Sequence, residues 1–177
     1  IRDSSVTGVQ TCALPICFMN LKIREGTAND YIDIKNLYKE VHNLHVKNRP
    51  DVFLDVDNPL EKEWYEKLLN SGGKKIFVVE GTYNKELVAY STVEIITQSN
   101  IQILVPSKFA YIDEFCVKSL YQRKGIGRLL FNHIEDYAKS EGASSIQLNV
   151  WEFNENAIKF YESMGMSTRS RRMELNL

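Results

Sequence analysis

The residues with the clearest chemical potential lie between Ala110 and Leu130, in the run Ala-Tyr-Ile-Asp-Glu-Phe-Cys-Val-Lys-Ser-Leu-Tyr-Gln-Arg-Lys-Gly-Ile-Gly-Arg-Leu-Leu. Two carboxylates, Asp113 and Glu114, stand side by side in a strand-like stretch, and a tight basic turn follows them. Beyond the turn, Ile126, Leu129, Leu130, Ile134, Tyr137 and Ala138 recur at helical spacing, which predicts a helix from Ile126 with Gly142 as its stop. The turn would therefore sit on a helix N-terminus. Free backbone N–H groups there, with Gly125 and Gly127 permitting positive φ and close approach, make a cradle for an anion such as phosphate. Gln122, Arg123, Lys124 and Arg128 would add side-chain donors around it, and Ile126 lies within it.

The kind of phosphate site is narrowed by what is missing. There is no Gly-Lys-Ser/Thr, so the turn is not a P-loop, and Leu130 occupies the place of the third Gly of a dinucleotide-binding fingerprint. The pattern Gln122-x-x-Gly125-x-Gly127, after a strand ending Phe115-Cys116-Val117, instead resembles the pyrophosphate loop of the GCN5-related N-acetyltransferases. Downstream, Asn154-x-x-Ala157-x-x-Phe160-Tyr161, with Gly165 after it, looks like that family's coenzyme-A-side helix. The two motifs occur in the family's order, separated by a helix and a strand. The resemblance implies acetyl-CoA as cosubstrate and transfer of its acetyl group to a primary amine by direct attack in a ternary complex. A non-catalytic acyl-CoA binding or sensing module on the same fold is the alternative.

Acetyl transfer from a thioester to an amine requires a neutral amine, a stabilised carbonyl oxygen and a protonated leaving thiolate. An alkylamine with a pKa near ~10.4 is almost fully protonated at pH 7, so a carboxylate, directly or through water, must accept its proton. In the spermidine/spermine acetyltransferases, which this strand resembles, a paired acidic dipeptide supplies the base, and that role passes to Asp113 and Glu114 jointly. In a regular strand neighbouring side chains point to opposite faces, so only one of the pair can face the amine unless a bulge intervenes. Alternation groups Glu114 with Ile112 and Cys116, and Asp113 with Tyr111 and Phe115. The family's spacing makes Tyr161 the acid for the thiolate and Asn154 a pantetheine ligand as well as a helix cap. The backbone amides of Phe115, Cys116 and Val117 should hold the acetyl carbonyl and the pantetheine amides. Cys116 has no His beside it in sequence and reads as a small core residue rather than an acyl-carrying nucleophile.

His42 and His45, three apart, share a helical face but lack further ligands at metal spacing, so no metal is expected. His45 lies in the region from which the family that the chain resembles builds its acceptor pocket, and is a candidate for that lining or for an exposed position, while His133 falls on the polar side of its helix. At 177 residues, 44% hydrophobic and 25% charged, the chain fits one globular domain, and a net charge of −1 gives no case for nucleic acid as a general partner. The acceptor is a small-molecule or peptide amine, and a homodimer stays open. No apolar run approaches the ~18–20 residues that span a bilayer. Val6 to Ile16 looks like a translated sequencing-adapter oligonucleotide, which puts residues 1–18 outside the domain and the domain itself at 19–177. That leaves one cysteine, Cys116, in keeping with a reducing, cytoplasmic setting.

The elements that must position these groups follow from pattern. Leu21 to Arg24 alternates as a first strand. Thr27 and Asp30 imitate a capping box before a helix near Ala28–Asn43, and Leu44 to Asp57 reads as a loop. Asn58-Pro59 opens a second helix with Leu60, Trp64 and Leu68 inward, closed by Gly72-Gly73. Lys75–Glu80 and Glu86–Thr97 form an antiparallel hairpin, and a polar connector runs from Gln98 to Ser107. Ile146, Leu148 and Val150 make another strand, Glu155–Met164 a helix, and Met173, Leu175 and Leu177 a closing strand. The order implies an α/β (α+β) fold, a mixed, mostly antiparallel sheet with helices on both faces. The resemblance adds a parallel strand pair splayed at its C-terminal ends.

Overall fold

The computed structural model describes residues 20–99 and 102–175, so the calls on residues 1–18 and on Leu177 lie outside it. Its strands are β1 (Leu21–Glu25), β2 (Lys74–Gly81), β3 (Leu87–Gln98), β4 (Ser107–Val117) and β5 (Ser145–Leu148). They form one sheet in the order β1-β2-β3-β4-β5. Neighbours run antiparallel except β4 and β5, which are parallel. That last pairing ends at Ile112↔Leu148, while β4 continues to Val117. The free stretch of β4 beyond Ile112 is the splay.

Two apolar layers cover the sheet. On one face α3 (Ile126–Ser140) and α4 (Glu155–Ser163) pack over Phe77, Val79, Ala89, Val93, Ala110 and Ile112. On the other, α1 (Tyr31–Asn48) and α2 (Lys62–Asn70) pack over Ile76, Val78, Leu87, Tyr90 and Cys116. The start of α1 is tied to the sheet by charge. Arg24 on β1 makes paired hydrogen bonds of 2.7 and 2.8 Å to Asp30 and a 2.7 Å contact to Glu80, both acids being almost fully buried.

Three local expectations need correction. α1 runs to Asn48 rather than Asn43, because its last turn has something to pack on: His45 stacks on Phe53 at 4.8 Å and Phe53 meets Trp151 at 5.5 Å. α2 begins at Lys62, not at Asn58-Pro59. Leu60 is already buried in a bend ahead of the helix, where its carbonyl accepts a 3.0 Å bond from the Tyr31 hydroxyl. The buried aromatic of α2 is consequently Tyr65, whose hydroxyl donates to the Thr27 carbonyl at 2.7 Å, and Trp64 faces outward. Finally, Met173 and Leu175 form no strand. Alternation supplies no partner ladder, and both side chains are exposed, while Glu174 pairs with Arg49 at 2.7 Å.

The amphipathic setting of α3 can be checked on adjacent leucines. Leu130 is fully buried and Leu129 is largely exposed. Leu130→Ala should cost about 2–5 kcal/mol in urea denaturation and Leu129→Ala under about 1 kcal/mol. Equal costs would misplace the helix.

Candidate active site

The register of β3 against β4 breaks at one point. Thr92 pairs with Glu114 and Val93 with Ile112, so Asp113 is an extra, unpaired residue: a β-bulge. Because side chains alternate with period two, one inserted residue exchanges the faces of everything after it. Ala110 and Ile112 face α3, whereas Glu114 and Cys116 face α1 and α2, with Phe115 and Val117 turned to the α3 and α4 side. The expected grouping of Glu114 with Ile112, and of Asp113 with Phe115, is thus overturned; Glu114 and Cys116 do share a face. Asp113 reaches Lys74, which precedes Ile76 by one alternation and also lies 3.5 Å from Glu94. Both carboxylates therefore come to the α1/α2 side.

They meet very different surroundings. Asp113 is exposed and ion-paired. Glu114 enters a narrow cleft lined by Ile34, Tyr38, Leu60, Tyr65, Ile76, Tyr90 and Thr92, and Lys74 is engaged with Asp113 and Glu94 instead. Burial, with the Asp113 charge adding to it and Lys74 opposing it, pushes the Glu114 carboxyl from 4.5 up to about 7. Two neighbours on β3 had no signal in the sequence beyond a Tyr-Ser-Thr run inside an apolar strand. The Tyr90 hydroxyl and Thr92 Oγ1 are buried in this cleft with no hydrogen-bond partner among the described residues.

Tyr161 lies on α4, packed edge-on to Phe115 with ring centres 6.1 Å apart. Burial first, and then the Glu114 charge, raise its pKa, so its hydroxyl keeps its proton through neutrality and feels the carboxylate on the other side of β4. Cys116 is buried, its thiol 3.4 Å from the Leu37 carbonyl and its pKa raised by burial. It is no nucleophile in this setting.

The basic turn closes onto the end of β4. Gly125 has φ 82° and caps α3, whose first N–H groups have no partner within the helix. Gly127, expected to share positive φ, is helical; it is needed for close approach, since a Cβ there would meet the Phe160 ring at 3.3 Å. Positive φ falls instead on Arg123, at 58°. Side chains of the turn are partly committed: Gln122 donates to the Val117 carbonyl at 3.0 Å, Arg123 contacts Asn156 at 3.4 Å, and Lys124 lies 5.2 Å over the Tyr121 ring. Arg128 is exposed. α1 steadies the approach, Glu40 accepting the Ser119 N–H at 2.9 Å.

Backbone direction refines the strand amides. Lys118 N–H donates to Val88 on β3, so by alternation the Cys116 N–H also points to β3, and those of Phe115 and Val117 point to the open side where β5 has diverged. Asn154 caps α4, its Oδ1 accepting from Ala157 N–H at 3.2 Å. His45 lies in the aromatic cluster with Phe53, Trp151 and Phe153, outside the cleft lining, and burial followed by His42 lowers its pKa. His133, expected on the polar side, is half-buried edge-on against Phe77. Among the described residues no group of His, Cys, Asp and Glu could hold a metal ion.

A carboxyl raised by burial lowers stability once it ionises. The Glu114 penalty is absent below pH 4.5, grows as pH rises, and is complete above about 7. Glu114→Gln should therefore be more stable than the parent at pH 8 by up to about 3 kcal/mol, with the gap closing toward pH 4.5. Thermal melts at both pH values check this, and a parent that is the more stable at pH 8 contradicts the burial.

Known proteins share both the fold and the sequence pattern. Residues 38–166 match the family model described as Acetyltransferase (GNAT) family. The [ribosomal protein bS18]-alanine N-acetyltransferase of Escherichia coli K12 is 28% identical over 105 residues, 59% of this chain and 64% of that enzyme, so the chain spans just under two thirds of it. A crystal structure of the BH1408 protein from Bacillus halodurans, a tetramutant, superposes with a TM-score of 0.86 at 32% identity, covering 88% of this chain and 99% of that one. Aminoglycoside N-acetyltransferase AAC(6')-Iy, solved in complex with CoA, shares the fold at 11% identity, with a TM-score of 0.68 over 90% of this chain and 95% of that one. On the family match across residues 38–166, which include the strand, the basic turn and the helix described above, this chain belongs to the GNAT acetyltransferase family.

Proposed function

We propose that the protein moves the acetyl group of acetyl-CoA to a primary amine by direct attack, with Glu114 as the general base. The observation that carries this reading is the bulge at Asp113, which puts a carboxyl with a pKa of about 7 beside the splay of β4 and β5. A base of that strength is matched to work near neutral pH. The residues present fit the cosubstrate: α3 offers unpaired N–H groups and Gly125 lets the backbone close on a diphosphate, with Arg128 free to approach it. Phe115 and Val117 turn their N–H groups toward the slot for the pantetheine arm and the acetyl carbonyl. Bound acetyl-CoA supplies the activated thioester carbon.

Glu114 takes a proton from the bound ammonium, freeing the nitrogen lone pair to form the N–C bond. Backbone N–H groups on β4 hold the oxygen as it becomes negative. As the carbonyl re-forms and the C–S bond breaks, Tyr161 gives its proton to the thiolate, and the second proton that the nitrogen loses on becoming an amide restores Tyr161 through solvent. Asp113, paired with Lys74, acts through its charge on Glu114 rather than as the base. The buried, protonated Cys116 supports direct attack over an acyl-enzyme.

Tyr38, Tyr90, Tyr161 and Cys116 feel the Glu114 charge, and Lys74 that of Asp113; all keep their protons through neutrality, their pKa values being raised. The rate of thiol release from acetyl-CoA should accordingly rise with pH through about 7 as Glu114 ionises. Glu114→Gln should lose this step and about 10²–10⁴-fold in rate at pH 7, recovering in part in alkaline buffer that deprotonates the amine directly. Tyr161→Phe should lose on the order of 10²-fold, because a thiolate is a tolerable leaving group. A Glu114→Gln variant with the parent pH–rate profile would remove Glu114 from the chemistry.

A further inference from the structure

On the acetyl-transfer reading proposed above, we infer that Ser91 is a positioning residue of the site: its hydroxyl holds and polarises the one peptide group that joins Glu114 to Phe115, and so aims the Phe115 N–H at the oxygen that becomes negative during transfer.

Ser91 is out of character with its surroundings. By alternation it lies between Ala89 and Val93 on the sheet face that α3 and α4 cover, and it is 0% exposed. Alanine would fill an apolar layer there with no dipole to satisfy, since a buried hydroxyl is costly unless it is hydrogen-bonded. The hydroxyl proton goes to one place: Ser91 Oγ donates to the Glu114 carbonyl at 2.7 Å. That bond crosses the strands where the register breaks, with Ser91 opposite Phe115, Thr92 opposite Glu114, and Asp113 inserted before it. Ser91 makes the contact from the α3 and α4 face, whereas the Glu114 side chain enters the cleft on the other face, so it acts on the base only through the backbone.

What the carbonyl controls follows from the planarity of the peptide. The Glu114 C=O and the Phe115 N–H belong to one trans unit, so fixing the direction of one fixes the opposite direction of the other. The carbonyl points to β3, and the N–H therefore points to the side where β5 has diverged beyond Ile112. A ladder bond uses one lone pair of a strand carbonyl and leaves the second for a side chain. Filling it draws electron density toward the oxygen and makes the N–H at the other end of the peptide a stronger donor. The Glu114 side chain springs from the Cα next to this peptide, so the same bond keeps the base in register with the donor.

The test compares Ser91→Ala, Ser91→Cys and Ser91→Thr in the full chain. Cysteine keeps the volume but is a weak donor, threonine keeps the hydroxyl, and alanine keeps neither. In ligand-free protein the NMR signal of the Phe115 amide nitrogen should move upfield in Ser91→Ala and Ser91→Cys and stay near the parent's position in Ser91→Thr. With n-butylamine as acceptor, kcat and kcat/KM for acetyl-CoA should fall together in the first two variants, by about tenfold. Losing a whole oxyanion donor costs about 10²–10³-fold, and here one is only loosened. Ser91→Thr should keep the parent's rate. A side chain that merely filled space would leave Ser91→Cys with the parent's amide signal and rate, and that result overturns the inference. A Phe115 amide unmoved in both Ser91→Ala and Ser91→Cys overturns it as well, even if acetyl transfer is observed. Should neither n-butylamine nor glycinamide yield thiol with the parent while the Phe115 amide moves as expected, the acetyl-transfer reading fails and the hold of Ser91 on the peptide stands.

Discussion

A single inserted residue in β4 decides which face of the sheet Glu114 occupies. Without Asp113 as a bulge, the period-two rule would send Glu114 toward α3 with Ile112, into an apolar layer with no opening for an amine. With it, Phe115 and Val117 join the α3 and α4 layer, while Glu114 and Cys116 turn to the α1 and α2 side. The backbone of the same few residues faces the gap where β5 has left. The bulge thus sets a carboxylate on one side of the strand, beside the edge that β5 leaves unpaired.

The cost of that arrangement falls on stability and its benefit on reactivity. Glu114 is held where its charge is poorly solvated, which destabilises the folded chain above neutral pH and raises the carboxyl's proton affinity. Helix packing secures the other half of the site. Gly127 lets the Phe160 ring approach α3 within van der Waals distance, and Phe160 carries its neighbour Tyr161 to the Phe115 side of β4. One glycine therefore sets where Tyr161 lies, while the other shapes the turn that opens α3.

Much of this was legible in the residues because it is local. The turn at Gly125, the start of α3 at Ile126 and the Asn154 cap each depend on neighbours a few positions away. The bulge did not announce itself: Tyr-Ile-Asp-Glu-Phe contains no Gly or Pro, and the inserted residue exists only relative to Thr92 and Val93 on another strand. Tyr90 and Thr92 were missed for the same reason, since a hydroxyl in an apolar strand becomes informative only once its cross-strand partner is known to be Glu114. Helix ends failed where tertiary contacts overrode local signals, as at Asn58-Pro59, where Leu60 is buried in a bend ahead of the helix. Alternation at Met173 and Leu175 misled because a strand needs a partner as well as a pattern.

The proton affinity of Glu114 is the most direct test of the account. Its side-chain carboxyl carbon can be followed by NMR across pH 4 to 9, with the signal assigned by its loss in Glu114→Gln. A midpoint near 7 is the predicted result. A midpoint near the ordinary 4.5 would show a solvated carboxylate, and with it a β4 whose register does not place Glu114 in the cleft.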